Sequence, residues 1–359
     1  MPDLLTNRPT AVYARWTMCS SPTGVVEDPS TLFPHDRAEL HPSLLAPVGE
    51  LQMVHSFEHT PVLRDEVVSL FASAPAGVIV DATVGGGGHS AALLDAYAHF
   101  SVVGLDRDTV ALAAARERLA RFGDRVTLVH APFSSLGDVV PGPVSGVLFD
   151  LGVSSPQLDS SERGFSYRLG GTIDMRMDQT SGATAGQLVN ELPEGALASL
   201  FRENGEGRLS GRIARAVVAA RPLTSTTQLS EVVAAAVPAA VRRKGHPARR
   251  VFQALRIEVN DELGQLAAGL PLALARLVPG GVCAVISYHS GEDRLAKQVL
   301  REAATGGCTC PPDLPCVCGA VIRYRLLFQG ARKASAAEVA ENHRAESARL
   351  RAIVRLDVP

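Results

Sequence analysis

No run of apolar residues in this chain reaches the ~18 needed to span a bilayer, so no membrane helix is expected. Excess charge is missing too. The 35 Lys and Arg residues face 37 Asp and Glu, a formal net charge of −2, so any nucleic-acid contact has to come from a local basic patch. The opening residues lack the basic-then-apolar layout of a secretory signal, which points to the cytoplasm. With only six cysteines and that location, disulfides are not expected. Two catalytic signatures are also absent. No Lys-Ser/Thr follows the glycine run, which excludes a Walker A loop, and no Gly-x-Ser-x-Gly elbow exists, which removes one hydrolase class. What is there, 46% apolar and 20% charged residues over 359 positions, suits a globular protein of two domains, or of one domain with a large insertion.

The chain is organised around Val78-Ile-Val-Asp81-Ala-Thr-Val-Gly85-Gly-Gly-Gly88-His89-Ser90. A β-branched run ends in an acid, crosses four glycines and enters a helix-forming segment, which predicts strand, tight loop and helix. Glycine permits the turn and lets a ligand lie against bare peptide, while the N–H groups of the first helical turn favour an electron-rich ligand. Roughly 20 residues on, Val102-Val-Gly-Leu-Asp106 supplies a second strand-terminal acid, placed to accept hydrogen bonds from ribose hydroxyls. The stretch reads as a nucleoside-cofactor site. The register starting at Gly85 places Ser90 where the dinucleotide pattern needs glycine, and Asp81 and His89 tilt the reading toward S-adenosylmethionine. A nicotinamide cofactor is the alternative at this point.

Around this stretch, strand and helix patterns alternate: Val78–Asp81, Ser90–Tyr97, Ser101–Asp106, Thr109–Phe122, Val126–His130 and Val144–Asp150. Alternation of this kind predicts an α/β fold, a doubly wound, Rossmann-like parallel sheet whose ligand lies beyond the strands' carboxyl ends. His89, Asp106, Phe133 and Asp150 all fall on that rim. Residues 1–56 carry many prolines and little periodicity, and are expected to form a flexible extension outside any domain. The fold is expected to begin near His59-Thr-Pro-Val-Leu63, with Thr60 as N-cap and Pro61 opening a helix. From 160 to 261 the pattern turns helical, including a capping box at Ser225-x-x-Gln228. The sheet pattern resumes at Gly280-Gly-Val-Cys-Ala-Val-Ile-Ser287. These boundaries predict a discontinuous catalytic domain, 57–159 and 262–359, with a helical substrate-recognition domain inserted at 160–261.

Four further stretches carry chemistry. Asp150 ends a buried strand and is followed by Leu-Gly-Val-Ser-Ser-Pro156-Gln157, in a position where a methyl donor and an acceptor amine would meet. Transfer from a sulfonium is intrinsically favourable, so an acid that orients the amine carries much of the rate through positioning. The segment Arg242 to Asn260 holds six Lys and Arg before its first acid. On a helix, Phe252, Leu255, Val259 and Leu263 make the buried stripe, and Arg249, Gln253, Arg256 and Asn260 a polar face. Phosphate-backbone contact is expected there, with Arg250, Arg163, Arg176 and Arg208 adding to it. His289, in Ser287-Tyr-His-Ser, is read as a substrate-side residue of the same rim. Cys308, Cys310, Cys316 and Cys318 offer a four-thiolate zinc site as an alternative to no metal at all, although zinc knuckles favour Cys-x-x-Cys spacing. The tail from Ala334, with Glu341, Arg344, Glu346, Arg349 and Arg351, reads as a salt-bridged surface helix. A non-catalytic RNA-binding module would also fit the basic face, but leaves the polar rim without a purpose.

In this order the segments resemble the bacterial 16S ribosomal RNA (cytosine-N4)-methyltransferase family known as RsmH or MraW. They are His59-Thr-Pro-Val-Leu, Asp81-Ala-Thr-Val-Gly-Gly-Gly-Gly-His-Ser, Asp150-Leu-Gly-Val-Ser-Ser-Pro-Gln-Leu-Asp, Arg163-Gly-Phe-Ser-Tyr, Asp174-Met-Arg-Met-Asp, His246-Pro-Ala-Arg-Arg-Val-Phe-Gln-Ala-Leu-Arg-Ile and Ser287-Tyr-His-Ser-Gly-Glu-Asp-Arg. The resemblance implies a class I S-adenosylmethionine-dependent methyltransferase fold and N4-methylation of a cytidine in the decoding region of the small ribosomal subunit. It also implies that Gly87, Gly88, His89, Asp106, Phe133, Asp150 and Gln157 bind the cofactor, with Phe133 on the adenine and Asp106 on the ribose. The chain departs from the family's usual pattern at Tyr288, where Phe is common, at Gly291, where Leu is common, and at Glu346, where the family carries a basic residue.

Overall fold

The computed structural model describes residues 60–358 except 141, 206, 244 and 312–315; the 1–56 extension lies outside the described residues. Seven strands form one sheet: β1 (Gly77–Asp81), β2 (Phe100–Asp106), β3 (Val126–His130), β4 (Val144–Asp150), β5 (Leu277–Ser287), β6 (Tyr324–Leu326) and β7 (Arg349–Arg355). Their order is β3-β2-β1-β4-β5-β7-β6. The first five run parallel, and β7 lies antiparallel between β5 and β6. The strand order reverses at β1, which has β2 on one side and β4 on the other. A crevice opens there because the two connecting chains leave toward opposite faces.

Two apolar layers cover the sheet. On one face α1 (Arg64–Phe71), α2 (Gly88–Ala96) and α3 (Thr109–Leu119) bury Leu63, Val67, Phe71, Leu93 and Leu119 against Ile79 and Val102. On the other, α4 (Leu136–Val139) and two later helices, α12 (Glu262–Arg276) and α13 (Ser290–Thr305), bury Leu136, Leu266, Leu270 and Leu300 against Val147, Phe149 and Val285. Strand β4 is buried from Val144 to Phe149, so its sequence shows a continuous apolar run rather than alternation. Truncating one of its fully buried residues, Leu148 for instance, would cost ~2–5 kcal/mol.

After a short α5 (Ser155–Asp159) the chain builds a helical unit with a core of its own. Helices α6 (Ala185–Glu191), α7 (Glu194–Glu203), α8 (Ser210–Ala219), α9 (Thr226–Ala236), α10 (Ala239–Arg242) and α11 (Ala248–Asn260) enclose Val189, Phe201, Ile213, Leu229, Val233 and Leu255. Ser225 and Gln228 form the anticipated capping box of α9. The buried stripe of α11 ends one turn sooner than its periodicity suggests. Asp261 takes a left-handed conformation (φ 48°), so Leu263 belongs to α12.

Two local readings are corrected. The first helix opens at Arg64 rather than at Pro61. Leu63 adopts φ 55°, and its N–H donates to Glu338 Oε1 at 2.6 Å, a tie to the distant tail that no local capping rule contains. The tail is not one salt-bridged surface helix. Its α-helix is confined to α14 (Ala336–Glu341), a 3-10 turn follows at His343–Ser347, and Arg349 and Arg351 lie in β7, where Leu350, Ala352 and Ile353 are buried. Alternating apolar residues pair with β5, and that burial outweighs the helical charge spacing.

Candidate active site

The carboxyl ends of β1 to β5 border one cleft of about 560 Å³, lined by Thr83, Gly85, Gly86, Gly88, His89 and Asp106 on one side. Asp81, at the end of β1, does not face it. Asp81 is buried and accepts the Ser90 hydroxyl at 2.6 Å, which ties the glycine loop to the first turn of α2. The loop needs its glycines for different reasons. Gly85 (φ 51°) points its N–H at Asp106 Oδ2, 2.8 Å away, while Gly87 (φ 77°) is the left-handed cap of α2, packed against Leu119. A Cβ on Gly88 would sit 2.6 Å from Pro61. Asp106 Oδ1 accepts the Asp108 N–H at 2.9 Å. Burial lifts the Asp106 carboxyl to about 6, against the pull of those two N–H donors. Each Asp106 oxygen retains capacity for a second donor, which suits a pair of ribose hydroxyls. Phe133, just past β3, meets Phe149 edge-on at 5.5 Å and lines the cleft.

Asp150 ends β4 at the centre of the cleft. Its N–H donates to Thr83 Oγ1 at 2.6 Å, its Oδ1 accepts the Tyr288 hydroxyl at 2.7 Å, and its Oδ2 lies 3.5 Å from His89 Nδ1. His89 Nε2 donates to the Val62 carbonyl at 2.9 Å, so in the neutral ring Nδ1 carries the lone pair facing Asp150. Burial raises the Asp150 carboxyl, opposed by His89 when its ring carries charge and then by the Tyr288 hydroxyl. His289 caps α13: its Nδ1 accepts the N–H groups of Gly291 and Glu292, and its Nε2 lies 3.1 Å from Glu292 Oε1 and 3.9 Å from Glu262. The ring borders the cleft through this scaffold.

Helix α11 and the loops before it form the outer wall. Arg249 and Arg250 are exposed, and Arg249 lines the cleft mouth. Three of the arginines expected at a phosphate backbone are committed elsewhere. Arg163 is buried, with its guanidinium on Asp108 Oδ2 at 2.8 Å and on the carbonyls of Arg176 and Met177. Arg176 forms a two-pronged pair with Asp174 at 2.8 and 3.0 Å. Arg256 does the same with Glu262 at 2.7 and 2.9 Å. Asn260, expected on the polar face, is buried and bonded to the backbone of Met175 and Met177. Arg163, Arg256 and Asn260 are more valuable as buried joints than as solvated contacts, because leaving them unpaired would strand desolvated polar groups; Arg176 is partly exposed.

The family model described as the MraW methylase family matches residues 56–356. The chain belongs to the MraW methylase family. Proteins named ribosomal RNA small subunit methyltransferase H from Heliobacterium modesticaldum and Symbiobacterium thermophilum are each 50% identical to it, over 82% and 84% of this chain and 98% of theirs. One of the same name from Thermobifida fusca is 48% identical, over 84% of this chain and 94% of that protein. As a member of the MraW methylase family the chain is an S-adenosylmethionine-dependent methyltransferase. The nicotinamide alternative falls with that assignment, and so does the non-catalytic RNA module.

Within this MraW-family chain, the cleft brings together Gly88, His89, Asp106, Phe133, Asp150 and Gln157, but not Gly87, which faces α3. Gln157 is already engaged: its amide donates to Asp108 Oδ2 at 2.7 Å and its oxygen accepts the Ser154 N–H at 2.9 Å. It shapes the wall more than it offers free polar atoms. Four contributors escaped the motif reading: Thr83, Gly85, Asp108 and Tyr288. Asp108 is the joint for both Gln157 and Arg163. Tyr288 carried the one available signal, as a departure from the MraW family's usual Phe, and its extra hydroxyl is the atom that reaches Asp150.

Proposed function

We propose that this chain methylates the exocyclic N4 amine of a cytidine in the decoding region of 16S ribosomal RNA, using S-adenosylmethionine, in the cytoplasm. The observation that carries this reading is Asp150: a strand-end carboxylate in the same cleft as Asp106 and Phe133, with the exposed Arg249 at its mouth. Relatives named for the small-subunit ribosomal RNA support the substrate class.

The cleft fits the cofactor. Its glycine-lined wall leaves no room for a side chain at Gly88, and Asp106 turns a buried carboxylate toward the space. Asp106 would hold the ribose, Phe133 the adenine, and the Gly85–Gly86 backbone the methionine portion. Bound there, S-adenosylmethionine supplies an electrophilic methyl group on a sulfonium. Asp150 accepts an N–H of the incoming amine and holds its lone pair in line. The methylated nitrogen then has one proton too many; Asp150 takes it, and the His89 Nδ1 lone pair is placed to share it. We assign RNA capture to the 160–261 insertion, with Arg249 and Arg250 on the phosphate backbone. Arg163, Arg176 and Arg256 brace that surface from beneath.

The test is transfer of labelled methyl from S-adenosylmethionine to small-subunit particles from a strain lacking this enzyme, followed by nucleoside analysis. Label in N4-methylcytidine is expected. Label in any other nucleoside, or in none, overturns the assignment. Asp150→Ala should abolish turnover while cofactor affinity stays within a few-fold.

A further inference from the structure

Between α13 and β6 the chain makes a long excursion, 306–323, and no described residue in it is buried or belongs to a helix or strand. An irregular segment of that length in a compact domain needs something to hold it. Its apolar residues do not: Val317, Val321 and Ile322 are 89%, 51% and 51% exposed. What converges instead is sulfur. Cys308, Cys316 and Cys318 form a near-equilateral triangle of Sγ atoms, with edges of 3.5, 3.4 and 3.5 Å, and Cys310 Sγ lies within 4.8 Å of all three. No two of the four stand apart as a pair. All four are free thiols.

We propose that these four cysteines bind one zinc ion in a closed, tetrahedral four-thiolate site. With Zn–S bonds of ~2.3 Å, a tetrahedral set has sulfurs ~3.8 Å apart, so Cys308, Cys316 and Cys318 need spread by only a few tenths of an ångström and Cys310 lies no more than ~1 Å beyond that spacing. The backbone is arranged as such a site needs. Gly306, Gly307 and Gly319 take left-handed conformations (φ 60°, 74° and 71°) that turn the chain back beside each Cys-x-Cys segment. Metal binding releases the four thiol protons to solvent, and the Zn²⁺ charge offsets half of the four thiolate charges. Closed at four sulfurs, with no position for water, the site is structural, and no described residue of 306–323 lines the cleft.

The untagged full-length chain, purified with reductant and no added metal, should contain about one equivalent of zinc by mass spectrometric metal analysis. Four thiols should become reactive only after the ion is stripped. Co²⁺ replacing it should show the strong visible bands of a tetrahedral thiolate site. The Cys316→Ser/Cys318→Ser variant should lose the metal, and Cys283→Ala should keep it. If that double variant fails to fold, the Co²⁺ spectrum of the unaltered chain decides alone. Less than a tenth of an equivalent of zinc with all four thiols titrating freely overturns the proposal. So does recovery of the four cysteines as disulfides from protein prepared without oxidant.

Discussion

Tyr288, the residue after β5, donates its phenolic hydroxyl to Asp150 Oδ1 at the end of β4, 2.7 Å away and 138 positions earlier in the chain. The bond joins the neighbouring strand ends on which the proposed acceptor amine would sit, and it leaves Oδ2 to His89. Burial keeps the tyrosine itself protonated well above its ordinary range, so it remains a donor at every working pH.

Removing that donor should therefore make Asp150 more basic. In Tyr288→Phe the acidic limb of the kcat/KM–pH profile is expected to move to higher pH, because the ionised Asp150 loses a hydrogen-bond donor. Plateau activity should stay within a few-fold. An acidic limb at the wild-type position would show that the bond does not tune Asp150.

Asp106 links cofactor affinity to pH. Its carboxyl is raised to about 6 in the free cleft, above its usual 3.8, and only the ionised form offers both oxygens as full acceptors to a pair of ribose hydroxyls. Protonation thus competes with binding below pH 6. Affinity for S-adenosylmethionine should be flat above pH 7 and fall ~10-fold per unit below 6. Asp106→Asn should bind more weakly and lose that slope, and Asp106→Ala should weaken binding ~10- to 100-fold by calorimetry. Wild-type affinity in Asp106→Ala would remove it from the cofactor site.

The exposed arginines should separate RNA affinity from stability. Arg249→Ala and Arg250→Ala are each expected to weaken RNA binding a few-fold and reduce the salt slope by about one unit, with cofactor affinity unchanged. A salt slope equal to wild type in the double variant would move the RNA surface elsewhere.

Arg163 should behave in the opposite way. Its pair with Asp108 is buried, the side chains 10% and 4% exposed, so Arg163→Ala leaves a stranded carboxylate. Stability should drop by ~3–5 kcal/mol in denaturant unfolding, with the RNA salt slope of the surviving folded protein unchanged. A loss below ~1 kcal/mol together with a reduced slope would return Arg163 to the RNA surface.

The balance between motif and geometry is plain at individual residues. Asp106 and Asp150 were legible as site acids because a strand-terminal acid in a parallel sheet must lie at the carboxyl rim, wherever the rest of the chain goes. His89 and Phe133 were legible as rim residues for the same reason. Gly87 was not separable from Gly85, since both sit in one run of four. The sign of their φ is shared, and only the neighbour distinguishes them: Leu119 for one, Asp106 for the other. Among the arginines the charge pattern marked a basic face, but Arg256 and Arg163 carry the same formula as Arg249 and differ only in having an acid within reach.

From its sequence alone this protein was determined as a strand–glycine–helix nucleoside site in a doubly wound sheet, interrupted by a helical segment. Those features follow from periodicity and turn chemistry, which act over a few residues. Tertiary structure decided which polar groups stay available. Arg163 finds Asp108 across 55 positions, Leu63 finds Glu338 across 275, and the tail becomes β7 by pairing with β5. Hydrogen bonds and buried pairs form between neighbours in space, and folding alone brings such distant residues together.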